Sequence, residues 1–507
     1  MRNLIISLVI LTAVFSLISG CDKMNKPLNV GNAVLLPVKD DPTVSFRIWF
    51  KVGSQLDPAG KEGLAALTAQ MLTEGSTKVN SLEQILDKLY PLATGYGSKV
   101  DKEMTVIYGR THKDNLDEFY KLLTEAILKP AFAESDFNRI KSAMISAIEK
   151  DLRYNSDEEL GKASLYGFVF EGTPYGHYTF GAIEGLKSIT LDDIKKFYNK
   201  YYTKDNYVIG LAGGYDTKLY DKLAQDLLTL PDGKAEQPAK PVPAKIDSWN
   251  YLLVDKDCES TAISFGFPID VLRGDDDFFA LVLFNSWFGE HRNSSSHLYQ
   301  VIREARGMNY GDYSYIETFL NGGEYRVPEP NNPRRQQIFE VWLRPVQNHQ
   351  RLFALRAALS ELKKVLENGM TQNDFELTKN FLYKYSLSYA QTTMEQLGYE
   401  IDSKFYGIND NNDYITFFRN KIKSLTLAQV NAAIKKHLQF DNIKFAIITK
   451  DAAKFKEDLV ANVPSPMKYD TPKPPDVLEM DKFIEVFPLK ATPDKIKIVS
   501  VEEMFQK

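Results

Sequence analysis

Cysteine is almost missing: the 507 residues contain two, Cys21 and Cys258. At most one disulfide is available, and no CxxC pair exists for a metal or redox centre. If Cys21 is modified, no intrachain disulfide remains, and stability must come from core burial. Histidine is scarce as well. The six are His112, His177, His291, His297, His349 and His437, and no two stand four apart, as a zinc pair on one helix face requires. Excess basic charge is absent: 62 Lys and Arg against 67 Asp and Glu leave -5. No basic face argues for nucleic acid. No Ser/His/Asp or Cys/His arrangement supports a covalent nucleophile. What is present is 44% hydrophobic and 12% aromatic residues, enough for large cores in more than one domain.

The first residues read as targeting rather than fold. Arg2 precedes the uncharged apolar run Leu4–Ile18, followed by Ser19-Gly20-Cys21. The run is short for a membrane span of ~20 residues. A small residue directly before cysteine resembles the bacterial lipobox, in which the thiol is diacylated and the chain is cut before it. On this reading residues 1–20 are a lipoprotein signal peptide, Cys21 is the lipidation site and residues 21–32 are a tether. The protein is then held by its lipid at a bacterial membrane, facing the periplasm, with inner or outer membrane left open. The alternative is an ordinary signal or anchor helix with an incidental cysteine.

Residues 230–245, LPDGKAEQPAKPVPAK, have a linker composition. They separate 33–229 from 246–455. Residues 456–507 hold Pro464, Pro466, Pro472, Pro474 and Pro475 and read as an extended or partly disordered tail. The two halves echo each other. Ser188-Ile189-Thr190-Leu191 and Asp205-Asn206 return as Ser424-Leu425-Thr426-Leu427 and Asp441-Asn442 at one offset, with Lys200 and Lys436 also matched. Asp136-Phe137 with Lys141 returns as Asp374-Phe375 with Lys379. Val44–Val52 alternates as a strand. Leu116, Phe119, Leu122, Leu123 and Ile127 share a helix face, and Ser135 is a plausible N-cap for the next helix. The fold class is α+β: two homologous domains, each an antiparallel-rich sheet with helices packed on one face.

The order VSFRIWFKVGSQLDP, GKEGLAALTAQMLTEGS, a strand and two helices, then TPYGHYTFGAIEGLKSIT resembles the insulinase-like M16 (inverzincin) peptidase family. The second half fits through FGEHRNSSSHLYQVIREARGMNYGDYSY. The resemblance implies two M16-type domains forming half of a clamshell. Active members carry H-x-x-E-H, two zinc ligands and a general base, and a third ligand some 75 residues on. Here the motif positions hold Ala66, Ala69 and Gln70, and the third falls near Ala147. Glu149 is two residues away, about 200° around a helix. Ala66 and Ala69 fit an apolar filling of the vacated face. Glu290, His291 and His297 cluster in sequence without a third clear ligand, and His177 reads as a surface residue.

One family element survives. Arg303 and Tyr310 resemble the arginine–tyrosine pair that reaches the scissile peptide in active members, with Gly307 free to end the helix between them. Both side chains are donors suited to a developing oxyanion; Arg306 is the competing arginine. The resemblance implies a partner subunit, inactive alone, that binds unfolded peptide through Arg303 and Tyr310. The expected cofactor in this chain is none, with zinc carried by a zinc-bearing M16 partner. The alternatives are self-association, a catalytically dead envelope scaffold or a peptide-binding protein.

Overall fold

The computed structural model describes residues 28–235, 237–319, 327–408, 410 and 412–507. Cys21 and the expected signal peptide lie outside them. Among the described residues no helix is long and apolar enough to cross a membrane.

Residue alternation builds the first sheet. Along β3 (Thr43–Phe50), Val44, Phe46, Ile48 and Phe50 enter one core and Trp49 another, as a period of two requires. Around it lie β1 (Leu28–Val30), β2 (Ala33–Pro37), β4 (Gly95–Val100), β5 (Thr105–His112) and β6 (Tyr207–Gly213), in the order β1-β2-β6-β3-β5-β4. Only β2 and β6 run parallel. The second sheet holds β7 (Asn250–Asp255), β8 (Ser260–Ile269), β9 (Asp312–Tyr315), β10 (Gln337–Gln347), β11 (Lys444–Thr449) and β12 (Ile496–Ser500), in the order β12-β7-β11-β8-β10-β9. Strands β2, β6, β3, β5 and β4 therefore correspond in order and sense to β7, β11, β8, β10 and β9. The duplication read from the sequence is a duplication of topology.

Local chemistry repeats too. The helices Leu191–Tyr201 and Leu427–His437 both start with capping boxes, Thr190 with Asp193 and Thr426 with Gln429. Each box satisfies two otherwise unpaired helix amides. Lys141 donates to the Ile189 carbonyl and Lys379 to the Leu425 carbonyl, both at 2.7 Å. The matched lysines thus clamp matched helix starts. The helix expected from Ser135 begins at Glu134 without a side-chain cap. Asp136 in its first turn instead accepts from the Ser76 amide (2.8 Å).

Each sheet carries helices of its own half on one face, and the opposite face receives a helix from the other half. Asp157–Val169 packs Leu160, Leu165 and Val169 against Leu252, Val254, Ile338 and Ala446 of the second sheet. Its counterpart, Thr393–Tyr406, packs Leu397 and Ile401 against Val34, Leu36, Trp49 and Val208 of the first. Close approach requires glycine here: a Cβ on Gly398 would lie 2.6 Å from Pro330 Cγ.

The tail departs from the extended reading. Pro474 and Pro475 start a helix, Pro475–Ile484, because the first turn needs no proline N–H. Strand β12 then joins the second sheet parallel to β7. The last residues cross to the first half, where the Phe505 and Gln506 carbonyls accept from the Ile183 and Glu184 amides (3.0 and 2.9 Å). Cys258 is buried, and burial pushes its thiol up to about 11, so it is a structural thiol.

Candidate functional site

The helix Leu64–Thr73 carries the motif positions, and its apolar residues dock it on the first sheet. Gly63 precedes it at φ +103°, a conformation suited to glycine. Asp57 caps the start: its carboxylate accepts from the Gly63 and Ala65 amides, each at 2.7 Å. His177 Nε2 lies 3.2 Å from the same carboxylate. That contact draws His177 into the molecule, where it is largely buried rather than on the surface.

Ala69 is buried in the core, as an apolar filling demands, and so is Ala66. With Gln70 it borders a cavity of about 450 Å³ between the halves. His177, Lys102, Arg47 and Arg334 also face this space. The donor set does not fit zinc. Two motif positions offer methyl groups and the third an amide. Among the described residues no group of three or more His, Cys, Asp or Glu could hold a metal ion. Ala147 is exposed and opens a π-helical stretch, Ala147–Asn155. Glu149 points instead toward Lys187 at the surface (3.9 Å).

Ion pairs across the halves enclose the cavity. Arg334 donates to both oxygens of Asp101 (2.7 and 2.6 Å), with both side chains buried. Lys99 pairs with Glu329 (2.8 Å), and Arg335 pairs with Glu103. Arg47 donates to Asn331 Oδ1 (2.5 Å) and Lys102 to the His177 carbonyl. Burial, reinforced by the Arg334 charge, pushes Lys102 down to about 7. Arg47, Lys102 and Arg334 were not foreseen from the sequence: polar residues in strands and turns carry no periodic signature, and their partners lie far along the chain.

Arg303 ends a π-helical turn, Tyr299–Glu304, and Gly307 follows at φ +71°. Tyr310 stands just before β9 and is 80% exposed. Arg303 is half-buried; it pairs with Glu304 and lies 5.4 Å over the Tyr299 ring. Neither lines the cavity at the degenerate motif. Asn309 anchors the intervening loop by donating to Asp312 (2.7 Å) and the Arg344 carbonyl (3.0 Å). Arg306 is structural, buried against Asp481 of the tail helix (2.8 Å). The Glu290, His291 and His297 cluster disperses. His291 Nδ1 contacts the Tyr315 hydroxyl (2.5 Å), His297 pairs with Glu361 (2.7 Å), and Glu290 accepts from Asn293 (2.8 Å).

Comparison with known proteins agrees with this architecture. Residues 33–168 match the insulinase family, peptidase family M16, and residues 188–382 match the peptidase M16 inactive domain. This chain belongs to the M16 peptidase family. It is a member in which Ala66, Ala69 and Gln70 stand at the zinc-motif positions. It is similar to the Helicobacter pylori non-peptidase homolog YmxG, 25% identical over 418 residues, spanning 80% of this chain and 89% of that protein. It is also similar to the Dictyostelium discoideum mitochondrial-processing peptidase subunit beta, 23% identical over 298 residues, 56% of this chain and 63% of the other. Among solved structures, the peptidase M16 inactive domain from Pseudomonas fluorescens matches with a TM-score of 0.71 and 25% identity, over 82% of this chain and 95% of that one.

Proposed function

We propose that this M16 member is the non-catalytic subunit of a two-chain peptidase. It helps to enclose an unfolded peptide and supplies Arg303 and Tyr310 to a zinc-bearing M16 partner. Position carries this reading. Tyr310 is at the surface, Arg303 half-exposed, and neither is on the wall of the chain's own degenerate site. A pair suited to a developing oxyanion that stands apart from its own chain's degenerate site is available to a site on another chain. The Dictyostelium relative is, by its name, one subunit of a processing peptidase. Acylation of Cys21 would hold the assembly at the periplasmic side of a bacterial membrane.

Mixing the chain without residues 1–21 with a zinc-bearing M16 chain from the same genome tests the reading. Peptide hydrolysis is expected from the mixture and not from this chain alone. Arg303→Ala and Tyr310→Phe should each lower kcat by roughly 10²–10³, the usual loss for one oxyanion donor, with assembly unchanged. Undiminished turnover by the Arg303→Ala mixture refutes a contribution in trans. A second reading, an envelope scaffold or peptide-binding protein, draws on one observation: Arg303 is engaged by Glu304 and Tyr299. On that reading no zinc-bearing partner assembles with the chain.

A further inference from the structure

The cavity beside the degenerate motif has an imbalance of charge. Five cations line it, Arg47, Lys99, Lys102, Lys162 and Arg334, against three carboxylates, Glu159, Glu329 and Glu395. The carboxylates are already engaged. Glu159 accepts from Lys162 (2.8 Å), Glu329 from Lys99 (2.8 Å), and Glu395 caps its own helix by accepting from the Thr392 amide (2.8 Å). Arg334 meets Asp101 through Nε and Nη2, while its Nη1 is buried with no hydrogen-bond partner. Arg47 and Lys102 donate to neutral oxygens: Arg47 to the Asn331 side chain and the Met394 carbonyl, Lys102 to the His177 carbonyl. All three cations are more than nine-tenths buried.

Asp101 engages only part of the Arg334 guanidinium, and Asp57 with Asp101 near Lys102 and Asp402 near Arg47 act on those cations through charge at longer range. Donor capacity is therefore left over at a site where buried polar groups are costly to leave unmatched. Lys102 and Arg334 lie close enough for their charges to act on each other, and Arg47 lines the same cavity, so an anion entering it has all three on its walls. A carboxylate suits this donor set, since guanidinium and ammonium groups bond ionised oxygens more strongly than neutral ones. The volume, about 450 Å³, falls within the ~300–1,000 Å³ typical of small-ligand sites.

We propose that the degenerate zinc site has become a carboxylate-binding site, in which Lys102, Arg47 and Arg334 receive the C-terminal carboxylate or an acidic side chain of a peptide. The peptide as source rests on the peptide-holding role proposed above; the carboxylate chemistry does not. Asp57, Asp101, Arg334 and His177 surround Lys102. Uptake of an anion among them draws a proton onto its amine, so binding weakens as pH rises.

Fluorescence anisotropy on the chain without residues 1–21 tests the site with three labelled hexapeptides. One is a neutral sequence with a free C-terminal acid, one is its amide, and one is an amide with an internal glutamate. Glutarate alone is followed by thermal shift. Either acidic peptide should bind at least about tenfold tighter than the neutral amide, one hydrogen-bonded charge being worth that or more. Which acidic peptide gains identifies the source. The preference should shrink between pH 6 and 9 and vanish in Lys102→Met. Equal binding of all three peptides overturns the carboxylate site and leaves peptide holding intact. Stabilisation by glutarate with no peptide bound keeps the site and refutes the peptide role. No response to any probe refutes the site. The ligand comparison needs no variant, so a poorly folding Lys102→Met does not weaken it.

Discussion

Replacing Asp101 by asparagine strikes the most deeply buried tie between the two halves. Asp101 follows β4 of the first sheet, and Arg334 precedes β10 of the second. Their side chains are 0% and 1% exposed, and the guanidinium meets the carboxylate through two parallel bonds. Each charge costs several kcal/mol to bury, and their attraction offsets this only while both remain. Asparagine keeps the size but removes the countercharge. The Tyr166 ring, 4.7 Å beneath the guanidinium, offers only a partial substitute, ~0.5–2 kcal/mol. The expected loss is therefore about 3–5 kcal/mol. The double change Asp101→Asn with Arg334→Met should recover much of it, because no unpaired charge is then left buried. Urea unfolding followed by tryptophan fluorescence measures the loss, with the first transition taken if the halves separate in steps. A cost below about 1 kcal/mol, or a double variant whose loss equals the sum of the two single losses, would refute the reasoning.

Other changes probe different parts of the fold. Gly398→Ala places a Cβ 2.6 Å from Pro330 Cγ and should lose ~1–3 kcal/mol to overpacking. Gly161→Ala in the counterpart helix meets Ser264 Oγ at 3.2 Å and should be near neutral; thermal melts that rank the two equally contradict this. Removing residues 501–507 exposes what Val501 and Met504 cover and deletes the acceptor of Arg153 at Met504 (2.9 and 2.6 Å). The loss should be roughly 3–6 kcal/mol from two buried side chains, with faster hydrogen exchange at the Ile183 and Glu184 amides. Burial pushes the Glu340 carboxyl up to about 8, against ~4.3 when unfolded. The folded state then holds the extra proton between those values, and stability falls as pH rises from about 4.3 to 8. Glu340→Gln should therefore stabilise more at pH 8 than at pH 5 in urea melts, and equal gains would count against a neutral buried carboxyl.

The duplication was legible because its markers are local. Thr190 and Thr426 each open a capping box, and Lys141 and Lys379 each clamp the carbonyl before it, so identical residues recur at a constant spacing. The loss of zinc ligands was legible for the same reason, one helix turn carrying Ala66 and Gln70. The exchanged helices were not. The periodicity of Asp157–Val169 shows an apolar face but not which sheet receives it. The tail was misread because prolines that break a helix interior can also begin one, as at Pro475. The cavity's cations escaped notice because Arg334 finds Asp101 across 233 residues, a distance no local pattern spans. The degenerate face was read as apolar filling, and Ala66 and Ala69 are both buried in the core; the cavity that Ala66 and Gln70 border was not foreseen.

The central claim is that this chain works with a zinc-bearing relative. Purifying it from its own cell envelope, under conditions that keep complexes intact, and identifying what accompanies it by mass spectrometry is the direct measurement. An H-x-x-E-H-bearing M16 chain recovered in comparable amount is the expected result, and its peptidase activity should fall when Arg303 is changed to alanine. Recovery of this chain with only itself or with unrelated envelope proteins would contradict the two-chain peptidase.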